Sequence, residues 1–163
     1  MKSTTKILAR AGVVGGLYAA LTIVLAPISY GAVQFRIAEA LTILPLIFPE
    51  TAIGLTLGCF ISNIFGNGPL DMILGTLSTL VASVITAFIG KTVKNRTAKL
   101  ALGSLPPIIV NAFIVPVTFM AASDTILAYL LNVLTVFLGQ AAVIAVLSPL
   151  VYFAAENVSK RLK

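Results

Sequence analysis

Glu39 and Asp71 are carboxylates set among apolar runs, in the stretches "QFRIAEAL" and "GNGPLDM". An ionisable group at membrane depth is costly to hold, so it faces a cavity or a partner and marks a functional site by default. Arg36 lies three residues before Glu39, so a local i,i+3 ion pair is the simpler use of Glu39. Asp71 follows a turn and could cap the helix that begins there. Both uses are compatible with ligand contact, because a helix-end carboxylate beside a pocket can do both. The other acids read as ordinary: Glu50 at a turn, Asp124 beside Ser123 as a cap of the last helix, and Glu156 among C-terminal bases.

Four amides accompany these carboxylates: Asn63, Asn111, Asn132 and Gln140, each inside an apolar stretch. Buried amides are expensive unless paired, so they either bridge helices or line a cavity. Asn132 and Gln140 are eight residues apart, which on a helix returns to within about 80°, one broad face. Amides with one or two carboxylates describe a site for a neutral or cationic, hydrogen-bond-rich small molecule. An anionic ligand would want a buried cation, and Arg36 is the candidate.

Catalytic constellations are missing. The chain has no histidine, which removes the commonest general base and the commonest metal ligand together. Its one cysteine, Cys59, can build neither a disulfide nor a cysteine metal site. No metal or cofactor is expected. "GKT" at 90–92 is no phosphate-binding loop, because Ile85 stands where the first glycine belongs and no strand precedes it. The chain reads as a non-enzyme, and an ATP-driven role would need the ATPase on another chain. An intramembrane enzyme using Glu39 and Asp71 as acid and base would lack a nucleophile. A purely structural subunit would not need so many amides.

The elements that must position these groups follow from composition. The chain is 59% hydrophobic and 10% charged, with mean hydropathy +1.09. Soluble domains average about 25% charged residues, so this is a polytopic membrane protein. Long apolar helices are expected over 7–27, 70–90, 100–122 and 125–155, each near the roughly 20 residues needed to cross a bilayer. The first is not expected to be a cleaved signal, for want of a small-residue cleavage site. Between the first two, residues 38–48 and 51–66 form a short hairpin turning near Pro49 and Glu50.

Charge parity supports that hairpin. Ten of the eleven basic residues flank apolar stretches: Lys2, Lys6 and Arg10; Lys91, Lys94, Arg96 and Lys99; Lys160, Arg161 and Lys163. Such clusters mark the cytoplasmic side of a membrane protein, and they are topological rather than a nucleic-acid patch. With the N-terminus inside, an even number of crossings before residue 70 keeps Lys91–Lys99 inside. The expected architecture is therefore all-α: six transmembrane helices in a single domain over 1–163, both termini cytoplasmic. A helix over 38–48 spans only about 16 Å, so it must line a cavity or be buried in protein. Glu39 would then lie near the outer surface.

Helix one carries two small-residue rows, Ala11-Gly15-Ala19 and Gly12-Gly16-Ala20, and the third carries Gly54, Gly58, Ser62 and Gly66. Rows of this spacing let backbones approach closely in lipid. They suit packing within the bundle or docking to a second membrane protein. Pro106, Pro107 and Pro116 interrupt the fifth stretch and should bend it around Asn111.

The blocks "VQFRIAEALTILP", "IGLTLGCFISNIFG" and "LDMILGTLSTLVAS" resemble the QueT family, substrate-binding S-components of energy-coupling factor (ECF) transporters. The resemblance covers nearly the whole chain. It implies a bacterial cell-membrane subunit that captures a queuosine precursor, preQ1 or queuine, beneath the outer loop at about 28–37. The subunit would dock through its first helix (Ala11, Gly12, Gly15, Gly16, Ala19, Ala20) onto a coupling subunit driven by two ATPases, and topple to deliver its substrate inside. With a 7-deazaguanine as ligand, Glu39 and Asp71 would read the N–H edge and the cationic substituent, in either order. Asn63, Asn111, Asn132 and Gln140 would address the carbonyl and ring nitrogens. Tyr30, Phe35 or Phe113 could stack on the ring, and Arg36 would be the resting partner of Glu39.

Overall fold

The computed structural model describes residues 3–30, 33–66, 68–118, 120 and 125–161. Ser123 and Asp124, the expected cap, lie outside the described residues, as do Gly31 and Ala32 of the outer loop. Among the described residues the chain is helical throughout, with no strand. In order come α1 (Ser3–Val24), α2 (Ala26–Ser29), a 3₁₀ helix (Ile37–Leu46), α3 (Thr51–Asn63), a π turn (Asp71–Gly75), α4 (Thr76–Thr92), α5 (Arg96–Thr118) and α6 (Ile126–Arg161). Four helical stretches are long and apolar enough to cross a membrane: Thr4–Val24, Asp71–Thr92, Arg96–Thr118 and Ile126–Arg161.

The element that organises the rest is the 3₁₀ helix. An α-helix was expected over 38–48, and the structure replaces it with the tighter form over Ile37–Leu46. A 3₁₀ run this long is uncommon. Pro45 inside it has no N–H to give to an α-type bond, and the Thr42 hydroxyl donates to the Glu39 carbonyl three residues back at 2.6 Å. The 3₁₀ rise of about 2.0 Å per residue also carries ten residues further across the bundle than an α-helix would.

Three residues per turn sorts the sequence into straight rows. Glu39 and Thr42 make one polar row, with Arg36 just ahead of it in extended backbone. Ala38, Leu41 and Leu44 make a second, packed with Tyr18, Leu55 and Cys59 in one apolar cluster. Ile43 and Leu46 continue a third, packed with Tyr152. Residues Ala38 to Leu46 are all buried, so the segment threads the bundle core. Glycines make room for its end: a Cβ on Gly90 would sit 2.5 Å from the Leu46 carbonyl oxygen, and one on Gly103 would sit 2.6 Å from the Leu46 side chain.

The small-residue rows divide between two uses. Ala11 and Gly15 of α1 meet Gly54 and Gly58 of α3 backbone to backbone. A Cβ on Gly15 would lie 2.5 Å from the Gly54 oxygen, and Cβ atoms on Gly54 or Gly58 would collide with the Ala11 or Gly15 oxygens. Gly12 and Gly16 have open space beside them. The row assigned to docking thus splits: Ala11-Gly15-Ala19 is consumed by internal packing, because it faces the glycines of α3. We expect Gly54→Val to cost at least about 1–3 kcal/mol by overpacking, read as a lowered melting temperature in detergent. An unchanged melting curve would show that α1 and α3 can separate without loss.

α5 runs as one helix through Pro106, Pro107 and Pro116, so the prolines remove hydrogen bonds without ending it. Pro107 has no N–H for the Gly103 carbonyl four residues back, and the Thr86 hydroxyl of α4 donates to that oxygen at 3.2 Å instead. Neighbouring helices commonly supply such partners in membrane proteins.

Ion pairs gather at one end of the bundle. Arg10 of α1 pairs with Glu50 at 2.8 Å and covers the Phe48 ring at 4.5 Å. Arg96 pairs with Glu156 at 2.6 Å, and Lys160 reaches the same carboxylate at 3.4 Å. Glu156, which stands among C-terminal bases in the sequence, is therefore a tie between α5 and α6. An apolar groove lined by Arg10, Phe48, Thr51 and Val158 joins these ends, so the start of α1, the 48–51 turn, the start of α5 and the end of α6 lie together.

Candidate functional site

The polar row of the 3₁₀ helix opens onto a buried cluster drawn from five parts of the chain. Glu39 is 1% exposed, Arg36 3%, Asp71 0%, Asn63 1% and Asn111 2%. The expected pair of Arg36 with Glu39 is not formed. Glu39 Oε1 instead accepts the Tyr18 hydroxyl of α1 at 2.5 Å, and the Asn111 amide of α5 faces the same carboxylate. Ser78 of α4 donates to Asn111 Oδ1, which turns the amide nitrogen of Asn111 toward Glu39. Position three of an α-helix would have set Arg36 alongside Glu39; a 3₁₀ start after an extended Arg36 does not.

Arg36 reaches the other way. Its Nη2 lies 4.0 Å from Asp71 Oδ2 and donates to Gln34 Oε1 at 3.2 Å, while its Cζ stands 5.5 Å from the centre of the Tyr30 ring. Gln34 is buried and holds a positive φ of 49°. Left-handed backbone at a non-glycine residue is uncommon, and such strain clusters at ligand-binding segments.

Asp71 does not act as a helix cap. It opens the π turn with no side-chain capping bond. The Asp71 carbonyl accepts from Asn63 Nδ2 at 3.0 Å; π turns inside helices often mark functional positions. Two glycines hold space around the carboxylate: a Cβ on Gly75 would sit 2.8 Å from Asp71 Oδ1, and one on Gly66 would sit 3.1 Å from Oδ2. Gly66 also abuts the Tyr30 ring, whose hydroxyl donates to the Ser62 carbonyl at 2.5 Å.

The hydrogen-bonding account of this cluster does not close. Glu39 Oε2, both oxygens of Asp71, Asn63 Oδ1, Gln34 Nε2, Arg36 Nε and Gln140 Oε1 are buried with no partner among the described residues. Native proteins pair nearly all buried polar atoms, and each unpaired one costs about 1–3 kcal/mol. Such a set, concentrated on neighbouring residues, is the signature of a site built for a ligand. Gln140 is buried at 2% exposed, and its neighbour Gly139 packs against the Val33 backbone.

Other expected contributors lie elsewhere. Asn132 is half-buried near the start of α6, about 12 Å along the helix from Gln140. Phe113 is 55% exposed; two residues beyond the inward Asn111 is about 200° around the helix, which is the outer face. Phe35 is 39% exposed, at the centre of a tight turn in which the Arg36 N–H donates to the Gln34 carbonyl at 2.8 Å. Tyr30 alone of the three aromatics stays at the site. Sequence reasoning missed Tyr18, Gln34, Ser78 and Thr79, and left Cys59 without a role. Tyr18 carried a signal: a phenol within an apolar helix needs a partner for its hydroxyl, and it lies one turn from Gly15, on the packed side. Cys59 accepts from Thr79 Oγ1 at 3.2 Å and from Asn63 Nδ2 at 3.4 Å, so its sulfur anchors two members of the shell. No group of three metal-binding side chains occurs among the described residues.

The QueT transporter family model matches residues 8–157. The chain belongs to the QueT transporter family. A curated relative, the queuosine precursor transporter QueT of Lactococcus lactis subsp. cremoris (strain MG1363), is 40% identical over 82 residues. That match covers 49% of this chain and 48% of the relative, so the chain spans about half the length of the curated relative it matches. No solved structure matches it. Four of its helices are long and apolar enough to cross a membrane, and the chain buries a cluster of charged and amide side chains.

Proposed function

We propose that this chain is the substrate-binding subunit of an ECF-type importer in a bacterial cell membrane, binding a queuosine precursor such as preQ1 or queuine. The observation that carries the reading is the group of unpartnered buried atoms around Arg36, Glu39 and Asp71. A guanine-like edge presents adjacent N–H donors and a carbonyl oxygen. Glu39 Oε2 is a free acceptor for the donors, and Gln34 Nε2 and Arg36 Nε are free donors for the carbonyl. Charge-assisted bonds of this kind are short and strong. Two carboxylates beside one guanidinium argue against an anionic ligand, which would face repulsion from both.

The subunit is a six-span bundle with the hairpin 37–63 counted as two spans and both termini cytoplasmic. This fits the gathering of Arg10, Glu50, Arg96 and Glu156 at one end, the end that the positive-inside rule assigns to the cytoplasm. It has no ATPase of its own. Coupling to ATP hydrolysis runs through a membrane partner docked on α1 and two ATPase subunits on other chains.

Thermal shift of the purified protein with preQ1, queuine and unrelated vitamins tests the ligand class. A ligand at a hundred times its Kd adds about 2.7 kcal/mol to stability, so a deazaguanine should raise the melting temperature and unrelated vitamins should not. Glu39→Gln is expected to weaken binding at least tenfold while the protein still folds. A shift with another vitamin and none with any deazaguanine would overturn the reading.

A further inference from the structure

We infer that the Asp71 pocket is a subsite for a primary ammonium group, so that Asp71 takes the cationic substituent of the ligand and Glu39 takes its ring edge. This rests on the proposed deazaguanine reading and decides between two roles which that reading leaves open.

The two carboxylates differ in what surrounds them. Glu39 shares its site with donors: the Tyr18 hydroxyl already fills Oε1, and the Asn111 amide faces it. One oxygen is left among groups of mixed polarity, which suits the edge of a planar heterocycle. Asp71 has both oxygens free, and beside it Asn63 Oδ1 is free too, because Asn63 has spent its amide hydrogens on the Asp71 carbonyl and Cys59. Arg36 Nε and Gln34 Nε2 are free donors on the far side of the guanidinium, but three groups beside Asp71 give nothing to its carboxylate. Tyr30 gives its hydroxyl to Ser62, and Cys59 turns its thiol to the Gly75 carbonyl at 3.7 Å. Arg36 Nη2 at 4.0 Å is beyond hydrogen-bond distance from Asp71.

A buried pocket with three unfilled acceptor atoms calls for a group that only donates. An ammonium has three N–H donors and no acceptor. Gly66 and Gly75 keep side chains from occupying the space beside the carboxylate, and the Tyr30 ring forms a wall there, where an aromatic face attracts a cation. Charge points the same way. One guanidinium stands against two carboxylates in this cluster, so the ensemble has room for one further positive charge. A neutral substituent would leave Asp71 dry and unpaired.

The experiment is calorimetric titration of the full chain in detergent with 7-aminomethyl-7-deazaguanine, its uncharged 7-cyano analogue and guanine. Unaltered protein should bind the aminomethyl compound at least tenfold more tightly than the cyano compound, a comparison that needs no variant. Asp71→Asn should reduce affinity for the aminomethyl compound at least ten times more than for the cyano compound. Gly75→Ala, which pushes a methyl group toward Asp71 Oδ1, should narrow the preference in the same direction. Glu39→Gln should weaken all three ligands alike. Equal binding of the charged and uncharged compounds by unaltered protein, or equal losses for both in Asp71→Asn, would overturn the ammonium assignment and leave the deazaguanine reading standing. Binding of none of the three would overturn both.

Discussion

Replacing Arg36 with leucine is expected to lower the unfolding free energy by about 3–5 kcal/mol, the cost of leaving buried carboxylates without their cation. Arg36 is 3% exposed, and Glu39 and Asp71 are 1% and 0% exposed. None of the three can turn to solvent without unpacking the 3₁₀ helix, whose residues from Ala38 to Leu46 are all buried. In lipid the penalty has no aqueous escape, because an uncompensated charge cannot be hydrated from the bilayer side. Arg36 also holds Gln34 at 3.2 Å, so its loss frees another buried polar group. The sharper form of the prediction is non-additivity. Asp71→Asn removes one of the charges that Arg36 balances, so Arg36→Leu with Asp71→Asn should be less destabilised than the two single losses summed, as expected for residues of one network. Unfolding of the four proteins in detergent measures this cycle. If Arg36→Leu melts with the unaltered protein, or if the losses simply add, the guanidinium is not the counter-charge of this site.

The network was partly legible in the sequence. Glu39, Asp71, Asn63 and Asn111 stood out because a charge or an amide inside an apolar run has few bland explanations, and those four residues do converge. What the sequence did not reveal was which of them touch, because that depends on helix type. An α-helical reading of "RIAEAL" sets Arg36 beside Glu39, whereas Arg36 stands in extended backbone ahead of the 3₁₀ run and, with the π turn at Asp71, turns to Asp71 and leaves Glu39 to Tyr18. Neither form has a strong local signature; Pro45 is the only hint in the first, and Gly75 in the second. The aromatic contributors were misplaced for a different reason. Phe113 is close to Asn111 in sequence, but helical geometry puts the two on opposite faces. Helix positions fared better, since long apolar runs speak for themselves. Their ends moved: α1 begins earlier and stops at Val24, with Pro27 near the start of the separate α2, and α6 continues past Ala155 to Arg161, where Glu156 finds Arg96.

Gly16→Leu should abolish uptake in cells and leave precursor binding to the purified subunit within about threefold. The prediction depends on the split of the α1 rows. Gly15 is spent on α3, so leucine there would drive into the Gly54 backbone and unfold the subunit, giving loss of uptake for an uninformative reason. Gly12 and Gly16 have nothing within 4 Å of where a side chain would begin, so a leucine fits the isolated subunit. They line one wall of an apolar groove of about 410 Å³ with Leu8, Ile53, Leu57 and Ile61, floored by the close contact of α1 and α3. In lipid such a groove offers no gain from hydrophobicity alone; its value is that a second helix can approach a glycine wall closely enough for dispersion contacts along its length. A leucine on that wall would hold an approaching helix off by the width of a side chain, enough to forfeit much of that contact. The binding cluster is unaffected, because it meets α1 at Tyr18, which is buried and faces the bundle interior. Gly12→Leu should act in the same way one turn away. Normal uptake by both variants would place the coupling partner on another face of the bundle, and loss of ligand binding together with uptake would mean that the open row is needed for the subunit itself.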